Sequence, residues 1–399
     1  MPVQPLKILQ IVPRIAPDMD GVGEYAMRLS QQLKSDHHID SEFLVVRPSD
    51  QTQPMLNGFT VHRFTQHTVR DFLTTVAADI SAVVLQYSNY PYLQGKLDSP
   101  LWLGSALKAL QDKGIPVLVM FHELPTLKYG VLRVRNPIQS RLSRDLAQLA
   151  DGVITNNEAF QQALLGWRRG GVVCQPNFAT IGEPAERVTP LNERDRTLIE
   201  LGSTDRRRVY QSNLSMLREI CEQLKIHTLY DVGRPVEWEP NSLGPTVTTV
   251  KTGVLPDREV SALMSRSFAG VFDYHRFPYN LGKSSVYAAY IAHGLLPICN
   301  GRLLRPQDGI VADQHYVDTF TVHACSKDSS PDSWFQTIAT NAHTLYQNRS
   351  VARCAQQYAD LIGSVVQSAT ISTERMTTQP TTTQPTTTRT SRPAKVRQD

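Results

Sequence analysis

One lysine and two hydroxyl side chains lie at the predicted start of a helix, in residues 282–285, which read GKSS. The first N–H groups of a helix have no partner within the helix, and the helix dipole makes that end electropositive. Lys283, Ser284 and Ser285 are therefore predicted to bind an anion such as a diphosphate. Two alternatives stay open. Ser284 only caps the helix while Lys283 extends into solvent, or the segment ends a Walker A loop, whose required earlier glycine is Phe277 in this chain.

Three adjacent arginines, Arg206, Arg207 and Arg208, follow Gly202 and the apolar segment Thr197–Leu201. A guanidinium group keeps its charge at any physiological pH, and its planar fork matches the oxygens of a phosphate. Three neighbouring side chains cannot all point the same way, so we expect one or two of them to bind phosphate, with Arg208 preferred. A solvated basic turn is the alternative.

His122 follows the apolar segment Pro116–Phe121, at the strand end where open α/β sheets place ligands. Its imidazole is suited to hydrogen-bond a substrate hydroxyl, and a purely structural role is the alternative. Nearer the N-terminus, Gly21 and Gly23 lie in the turn Asp20–Glu24. Glycines in such a turn let the backbone approach a ligand, or they simply begin a helix.

A strand–loop–helix opening occurs twice, at about residues 6–34 and again at about residues 197–224. Short apolar runs such as Ala82–Gln86 and Pro116–Phe121 follow the first opening, and they are typical of strands buried on both faces of a parallel sheet. Burial on both faces requires helices on both sides of each sheet. The sequence therefore predicts an α/β protein with two doubly wound, Rossmann-like domains facing a central cleft.

The length of 399 residues is too great for one compact core. We predict a Rossmann-like domain at 1–180, a linker rich in Pro, Glu and Thr at 181–196, and a second Rossmann-like domain at 197–346. A helix at 347–369 is a candidate for packing back on the first domain. The Thr/Pro/Gln-rich tail at 370–399 is predicted to be disordered and without a catalytic role.

Charge and cysteine content narrow the class of protein. The formal net charge is +4, and much of it lies in the tail, where basic residues outnumber Glu374 and Asp399. A body close to neutral disfavours a nucleic-acid-binding protein. The five scattered cysteines are interpreted as buried free thiols in a reducing compartment. We expect neither a signal peptide nor a membrane span, and hence a cytoplasmic protein.

Loose motifs along most of residues 6–368 occur in a particular order. They are PRIAPDMDGVGEYAMRLSQQL at the first opening, FHELPT (121–126), ADGVITNNEAFQQAL (150–164), QPNF (175–178), ELGSTDRRR (200–208), KTGVLPDREVSALMSRSFAGVF (251–272) and SSVYAAYIAHGLLPIC (284–299). With these motifs the chain resembles a GT-B glycosyltransferase. It is most similar to the retaining, family 4-like group that uses nucleotide-diphosphate sugars.

This resemblance implies that the donor binds the second domain, that the acceptor binds the first, and that both meet in the cleft. The resemblance places His122 at the donor sugar and Arg208 near a lysine of the family. Together with Lys283, from the helix start at GKSS, these residues are the predicted catalytic group. The predicted donor-binding residues are Gly21, Gly23, Gly202, Arg206 and Arg207, within motifs that resemble the family, and Ser284 and Ser285, from the helix start. Two family features are missing. Leu281 and Ala289 stand near the places of an acidic pair, and Ser203 follows Gly202 where an arginine is usual.

The combined prediction is a metal-independent hexosyltransferase of polysaccharide biosynthesis. A sugar moves from a nucleotide-diphosphate sugar to a glycan or lipid-linked saccharide, and cationic side chains stabilise the departing diphosphate. No D-x-D pair lies in a plausible place, so we expect neither a divalent ion nor a cofactor. Nucleic acid is not expected as a partner.

Basic residues around the helix that starts near Pro137, together with Trp167-Arg168-Arg169, suggest a peripheral contact with the inner face of a membrane. A solvated helix face is the alternative. Two other classes of function also stay open. One is a GT-B-like protein that binds a nucleotide or glycan without catalysis, and the other is an NTPase built on the GKSS segment.

Overall fold

A computed structural model of the protein describes residues 6–18, 20–65, 68–89, 92, 101–125, 137–202, 209–210, 213–274, 278–319, 321–322 and 331–378. The strands of this described part are β1 (Lys7–Val12), β2 (Asp40–Val45), β3 (Met55–Leu56), β4 (Phe59–Arg63), β5 (Ala82–Tyr87), β6 (Val117–Phe121), β7 (Gly152–Thr155), β8 (Val173–Cys174), β9 (Asp195–Gly202), β10 (Thr228–Gly233), β11 (Thr248–Gly253), β12 (Ser267–Phe272), β13 (Leu296–Cys299) and β14 (Val317–Asp318). Its α-helices are α1 (Gly21–His37), α2 (Val69–Thr75), α3 (Leu101–Gln111), α4 (Pro137–Leu149), α5 (Glu158–Leu165), α6 (Leu214–Gln223), α7 (Asp257–Arg266), α8 (Ser285–Ala292), α9 (Pro331–Gln347) and α10 (Val351–Thr378).

The first sheet has the strand order β3-β4-β2-β1-β5-β6-β7-β8. Its neighbours pair in parallel except β3 and β4, which form a short antiparallel hairpin. β5 and β6 are buried along their full length, as expected for strands covered by helices on both faces. β1 lies between β2 and β5, so the strand order reverses at β1, and open α/β sheets bind ligands at such a point.

The second sheet has the order β11-β10-β9-β12-β13-β14, and all its pairs are parallel. β9 occupies the position that β1 has in the first sheet, with β10 on one side and β12 on the other. The prediction of two doubly wound parallel sheets is therefore confirmed. We call each sheet with the helices packed on it a lobe, the first or the second.

Helix α8 is buried on nearly all sides, because its sequence is apolar all round. Tyr290 in this helix donates to the carbonyl of Val271 in β12 at 3.2 Å. A Cβ at Gly270 would lie 2.6 Å from the Tyr290 ring. Glycine at position 270 thus allows α8 to lie directly on the second sheet, which fixes where its first residues end up.

The last helix, α10, packs on α1 of the first lobe. Tyr25 of α1 and Cys354 of α10 lie 3.2 Å apart (Oη to Sγ), and Tyr358 and Ile362 share their apolar cluster. The helix runs to Thr378, past the predicted end at residue 369, because no glycine or proline interrupts residues 370–378. The predicted tail therefore starts later than residue 370, and residues 379–399 lie outside the described part of the chain.

Cysteines in the described part are free thiols, as the sequence predicted. Burial raises the pKa of Cys221, Cys299 and Cys354 to about 12. These thiols are therefore protonated and unreactive at neutral pH. Cys325 lies outside the described residues.

The chain passes from the first sheet to the second through residues 175–194, which we call the crossover segment. Arg28 of α1 donates to the carbonyls of Thr180 and Ile181 in this segment, at 3.1 and 3.3 Å. The same guanidinium pairs with Asp257 at the start of α7, at 2.7 Å. One side chain of the first lobe thus contacts both the crossover segment and the second lobe.

Candidate functional site

Lys283 of the second lobe and Glu123 of the first lobe form an ion pair where the lobes meet. Lys283 Nζ lies 3.4 Å from Glu123 Oε1, and Ser88 donates to Glu123 Oε2 at 3.0 Å. Asn177 fixes the backbone of the segment that carries Lys283. Its N–H donates to the Gly282 carbonyl at 2.8 Å, and its Nδ2 donates to the Lys283 carbonyl at 2.7 Å. Since Ser88 and Glu123 follow β5 and β6, Lys283 faces the carboxyl edge of the first sheet.

Ser284 caps helix α8. Its Oγ accepts the N–H of Tyr287 at 3.1 Å, and its own N–H donates to the Leu281 carbonyl at 3.0 Å. The Ser284 N–H is therefore not open to an anion, contrary to the expectation for both serines. A helix leaves the N–H groups of its first residues unpaired, so Ser285 and Val286 supply the remaining backbone donors at this end.

The GKSS segment does not have the structure of a Walker A loop. Residues Pro278–Lys283 form a 3-10 helix that leads directly into the cap of α8, whereas a Walker A loop wraps its open backbone around a phosphate. A Cβ at Gly282 would lie 2.5 Å from Asp308 Oδ2. The space beside this glycine is filled by a side chain of the same lobe, so the NTPase interpretation loses its structural basis.

His122 ends a buried chain of hydrogen bonds that crosses the first sheet. Its Nε2 lies 2.8 Å from Gln86 Oε1, while Gln86 Nε2 donates to Gln10 Oε1 at 2.9 Å. Gln10 Nε2 in turn donates to Ser30 Oγ at 3.4 Å. Because the Gln86 amide nitrogen is engaged by Gln10, its oxygen faces His122, and Nε2 of the histidine carries the hydrogen. The neutral ring then presents Nδ1 as a hydrogen-bond acceptor.

Burial lowers the pKa of His122 to about 3, and the positive charge of Lys283 contributes to this shift. The imidazole is therefore neutral at physiological pH. Tyr25 packs edge-on against it, with the ring centroids 4.9 Å apart. A fixed, neutral imidazole of this tautomer can accept a hydrogen bond from a hydroxyl at Nδ1, but it cannot supply a proton as a general acid.

Gly21 and Gly23 lie in the first turn of α1, beyond the carboxyl end of β1. Asp20 caps this helix, and its Oδ1 accepts the N–H groups of Val22 at 2.9 Å and Gly23 at 3.2 Å. A Cβ at Gly23 would lie 2.1 Å from the Arg14 carbonyl oxygen, so the close approach of the preceding loop accounts for this glycine. A Cβ at Gly21 would meet no atom within 4 Å. Gly21 therefore borders open space.

Gly202 ends β9 at the reversal point of the second sheet. Its φ is 151°, a value that L side chains rarely adopt, and its register partner in β10 is Gly233. Arg206, Arg207 and Arg208 were predicted to follow it as phosphate ligands. These arginines lie outside the described residues, so their role stays a prediction.

A cavity of 940 Å³ opens at the carboxyl ends of β10 and β11, and Gly233 is among its lining residues. Trp238 forms part of its wall and donates from Nε1 to Asp231 Oδ2 at 3.0 Å. Lys251, also at the wall, donates to the Trp238 carbonyl at 3.1 Å. The Trp238 ring stacks on Tyr210 with centroids 4.2 Å apart. These contacts give the cavity a rigid, polar wall.

Asp308 joins the second lobe to the first. Its Oδ1 accepts the N–H of Glu158, the first residue of α5, at 2.6 Å, and Arg349 donates to its backbone carbonyl. Burial raises the pKa of the Asp308 carboxyl to about 6. Asp308 also lies against Gly282, so it supports the segment that carries Lys283.

No protein-family model matches this chain, and no curated protein was found to match it. Solved structures share its architecture. An α-glucosyltransferase in complex with UDP and DNA containing a HMU base is 12% identical, with 90% of this chain and 99% of that chain covered and a TM-score of 0.56. The lipopolysaccharide outer core galactosyltransferase WaaB is 11% identical, with 90% and 99% covered and a TM-score of 0.54. An α,α-trehalose 6-phosphate synthase from Burkholderia multivorans is 10% identical, with 92% and 100% covered and a TM-score of 0.57.

The chain has the GT-B fold. Each of these proteins is a GT-B glycosyltransferase that is covered over almost its whole length. The predicted fold class and the resemblance to GT-B glycosyltransferases are confirmed, while membership of family 4 stays a prediction. The Lys283–Glu123 contact therefore lies in the cleft between the two lobes of a GT-B fold.

The missing acidic pair has a structural explanation in this GT-B cleft. Leu281 is 2% exposed and Ala289 is 1% exposed, and both belong to one apolar cluster. Neither position faces the cleft, so restoring an acid there would bury a charge in apolar surroundings. The carboxylates that approach residues 282–283 come instead from Glu123 and Asp308.

Other predicted features are only partly described. Arg141 pairs with Asp145 at 3.7 Å, and Arg144 lies 5.9 Å from the Trp167 ring centroid, so this basic surface is partly engaged within the protein. Within the described residues, no helix has the length and apolar character needed to cross a bilayer. The same residues contain no cluster of three His, Cys, Asp or Glu side chains suited to a metal ion.

Sequence reasoning missed several residues that build the site. Gln10 and Gln86 interrupt otherwise apolar strands, and a polar residue in the middle of a buried strand was a usable signal for a hydrogen-bonded chain. Asn177 was part of the QPNF motif but received no role. Asp308 lies in a loop and carried no signal, because its partners are distant in the sequence.

Proposed function

We propose that this protein is a glycosyltransferase that transfers a hexosyl group from a nucleotide-diphosphate sugar to a hydroxyl of a glycan or lipid-linked saccharide. The observation that carries the proposal is the contact of Lys283, at the start of α8, with Glu123 of the opposite lobe at 3.4 Å. A cation and a helix start line one side of the cleft. A carboxylate, a hydroxyl and a neutral imidazole line the other.

The charge on the second-lobe side suits a departing diphosphate. When the bond to the sugar breaks, negative charge develops on the phosphate oxygen, and preorganised cations and N–H groups stabilise it. Lys283 supplies a flexible ammonium group that can leave Glu123 for a phosphate. The Ser285 N–H and the dipole of α8 act in the same direction. We propose Arg208 as a further cation because of its position after Gly202.

The cavity at β10 and β11 is proposed to hold the nucleoside. Its volume of 940 Å³ is in the range of small-ligand sites, and Gly233 in its wall pairs with Gly202. β12, whose following loop carries Lys283, is two strand spacings from β10, roughly 10 Å. A nucleoside in the cavity would therefore direct its phosphates along the carboxyl edge toward Lys283. Glu237 and Glu239 in the cavity wall are suited to accept ribose hydroxyls.

The first-lobe side is proposed to bind sugar hydroxyls. His122 is neutral and offers Nδ1 as an acceptor, and Glu123 gains a free oxygen whenever Lys283 turns to the diphosphate. Both groups accept hydrogen bonds and neither carries positive charge, so they fit hydroxyls better than phosphates. Because the leaving charge is met by side chains and a helix start, we propose that transfer does not depend on a divalent ion.

The first experiment is a binding screen on the full chain. Thermal shift and calorimetry with UDP-, GDP- and ADP-hexoses should identify one nucleotide that stabilises the protein, because a ligand that binds only the folded form raises its apparent stability. Transfer is then assayed with saccharide and lipid-linked acceptors, with and without EDTA. Absence of binding across the panel would overturn the proposal, and loss of transfer in EDTA would overturn metal independence.

DNA belongs among the acceptors tested, because one structural neighbour was solved with DNA containing a HMU base. We propose that saccharides are the acceptors and that DNA is not. Transfer to hydroxymethylated DNA with no transfer to saccharides would reverse this assignment. A lipid-linked acceptor also requires access to a bilayer, so sedimentation with anionic vesicles at low salt accompanies the assay.

A non-catalytic GT-B protein is the second candidate, and the burial of Leu281 and Ala289 favours it. Without the acidic pair the donor sugar loses contacts that the family resemblance implies, while the anion-binding side of the cleft is kept. The same screen separates the two candidates. Tight binding of a nucleotide sugar without hydrolysis or transfer to any acceptor would support the binding protein.

A further inference from the structure

A second cavity, of 370 Å³, lies at the amino end of the second sheet, opposite the carboxyl edge that faces the cleft. One wall is the crossover segment at residues 184–189, and the other is helix α7. On α7 the lining residues Arg258, Ser261, Ala262 and Ser265 recur at helical spacing, so one helix face borders the cavity. Polar residues on this face were not assigned any function from the sequence.

Arg194 lies in the cavity wall with its positive charge uncompensated. It is buried, and its guanidinium donates to the carbonyls of Thr189, Ser267 and His293 at 2.7 to 3.1 Å. No carboxylate pairs with it among the described residues, and burial lowers its pKa to about 10. Carbonyl dipoles satisfy its donors but leave the net charge in place. A buried cation without a counter-charge favours an anion nearby.

His293 adds no charge to this cavity. Its Nδ1 lies 2.8 Å from the Ala289 carbonyl, so Nδ1 carries the hydrogen, and Nε2 accepts from the hydroxyl of Ser261 at 2.8 Å. Burial lowers the pKa of His293 to about 4, so the ring is neutral at physiological pH. The Ser261 hydrogen is used in this contact. Ser261 and His293 therefore shape the wall but cannot donate to a ligand.

Donors that remain free face the cavity from both walls. Arg187 lies on the crossover segment and Arg258 on α7, and both are exposed with no ion-pair partner among the described residues. The Ser265 hydroxyl likewise has no hydrogen-bond partner within the described part of the chain. Glu186 is the acid in the lining, so three guanidinium groups face one carboxylate.

We propose that this cavity binds a phosphate monoester, with Arg187 and Arg258 gripping the phosphoryl group from opposite walls. Guanidinium groups match phosphate oxygens with paired hydrogen bonds, and Arg194 adds a fixed positive potential behind them. The volume is several times that of a phosphate group, which leaves room for a small organic part. This site is separate from the cleft, because α8, about 12 Å long, has Lys283 at one end and His293 at the other.

The test is isothermal titration calorimetry on the full chain with inorganic phosphate and with glycerol phosphate, at constant ionic strength. Both probes should bind, the ester more tightly. Arg187→Gln and Arg258→Gln should each weaken binding about tenfold, since a charge-assisted hydrogen bond contributes about 1.5 kcal/mol. Both side chains are exposed, so the variants should fold normally. Arg353→Gln, at an exposed arginine on α10, is the matched control and should bind like the wild type.

Lys283→Gln separates this site from the cleft and from the proposed donor site. It should leave phosphate and glycerol phosphate binding unchanged, whether or not it alters binding of a nucleotide. The proposal is overturned if neither probe binds, if Arg187→Gln and Arg258→Gln bind like the wild type, or if Arg353→Gln weakens binding equally. Loss of binding in Lys283→Gln would place the anion in the cleft and would also overturn it.

Discussion

Two kinds of helix start meet at the cleft, and they differ in charge. Helix α1 of the first lobe begins at a carboxylate, because Asp20 accepts the N–H groups of its first turn at 2.9 and 3.2 Å. Helix α5 of the same lobe also faces a carboxylate, because Asp308 accepts the Glu158 N–H at 2.6 Å. Helix α8 of the second lobe begins instead at the neutral Ser284, with Lys283 beside it.

This difference indicates where an anion can bind. At α1 and α5 a carboxylate of the protein accepts N–H groups of the first turn, and its negative charge disfavours a second anion there. At α8 the capping oxygen is neutral, a lysine replaces the carboxylate, and the N–H groups of Ser285 and Val286 are left. This contrast supports our proposal that a diphosphate binds at the second lobe and that sugar hydroxyls bind at the first.

The largest effect is expected from Lys283→Ala. If Lys283 stabilises the departing diphosphate, its loss should lower the rate of sugar transfer by about 10²–10³, the typical cost of removing one preorganised group of this kind. The measurement is kcat with the donor identified in the screen. Lys113→Ala, at an exposed lysine in the turn that follows α3, is the matched control. An unchanged kcat in Lys283→Ala would contradict the proposal that the start of α8, unlike those of α1 and α5, stabilises a diphosphate.

A smaller effect is expected from the pH dependence of Asp308. Its pKa in the folded protein is about 6, above the usual value of 3.8. The fold therefore favours the protonated form, and stability linked to this group is present at low pH and lost as pH rises through about 6. Relative to Asp308→Asn, which stays neutral, the wild type should lose about 2.5 kcal/mol between pH 4 and pH 8.

Urea unfolding of the wild type and of Asp308→Asn across this pH range measures the difference. Asp360→Asn, at an exposed aspartate of α10, is the control for the substitution itself. If the gap between the wild type and Asp308→Asn does not change with pH, then the Asp308 carboxyl does not have the buried environment that raises its pKa.

The fold was predictable because it depends on local patterns. Apolar runs such as VVLQY and VLVMF indicate buried parallel strands. The two strand–loop–helix openings coincide with β1 and β9, the strands with which the chain enters each sheet. The end of α10 was misplaced because a change in composition at residue 370 was taken as the helix end. The helix continues to Thr378, and no glycine or proline interrupts residues 370–378.

The site was predictable only in part, because its contacts join residues far apart in the chain. Lys283 was recognised from its position before a helix, but its partner Glu123 lies 160 residues away. The sequence did not indicate which helix starts are capped by a carboxylate. Gly21 and Gly23 resemble a ligand-binding turn, yet the neighbouring Asp20 takes up the N–H of Gly23. No local pattern indicates whether a capping residue will exclude a ligand or leave room for it.

Substitutions at Gln86 test whether the buried hydrogen-bond chain of the first lobe holds the His122 ring in place. Gln86→Leu leaves the His122 Nε2–H and the Gln10 Oε1 without partners, and we expect a loss of about 2 kcal/mol in the free energy of unfolding. Gln86→Glu places a carboxylate beside the ring and should raise the pKa of His122, which NMR titration of the imidazole measures. Gln356→Leu, at an exposed glutamine of α10, is the control and should be nearly neutral. If His122 titrates alike in the wild type and in Gln86→Glu, that result would contradict the contact between position 86 and the His122 ring.

The smallest effects come from the caps themselves, and they separate the two helix starts most directly. Asp20→Ala and Ser284→Ala each remove one capping oxygen, so each should cost about 1 kcal/mol of stability in urea unfolding.

The effects of Asp20→Ala and Ser284→Ala on nucleotide binding should differ. Asp20→Ala frees N–H groups at α1 and removes a negative charge. If a diphosphate bound there, as Gly21 and Gly23 first suggested, its affinity would rise. Because we place the diphosphate at α8, calorimetry should show unchanged affinity in Asp20→Ala and weaker binding in Ser284→Ala, where the helix start loses its order. A gain in affinity in Asp20→Ala would return the anion to the first lobe.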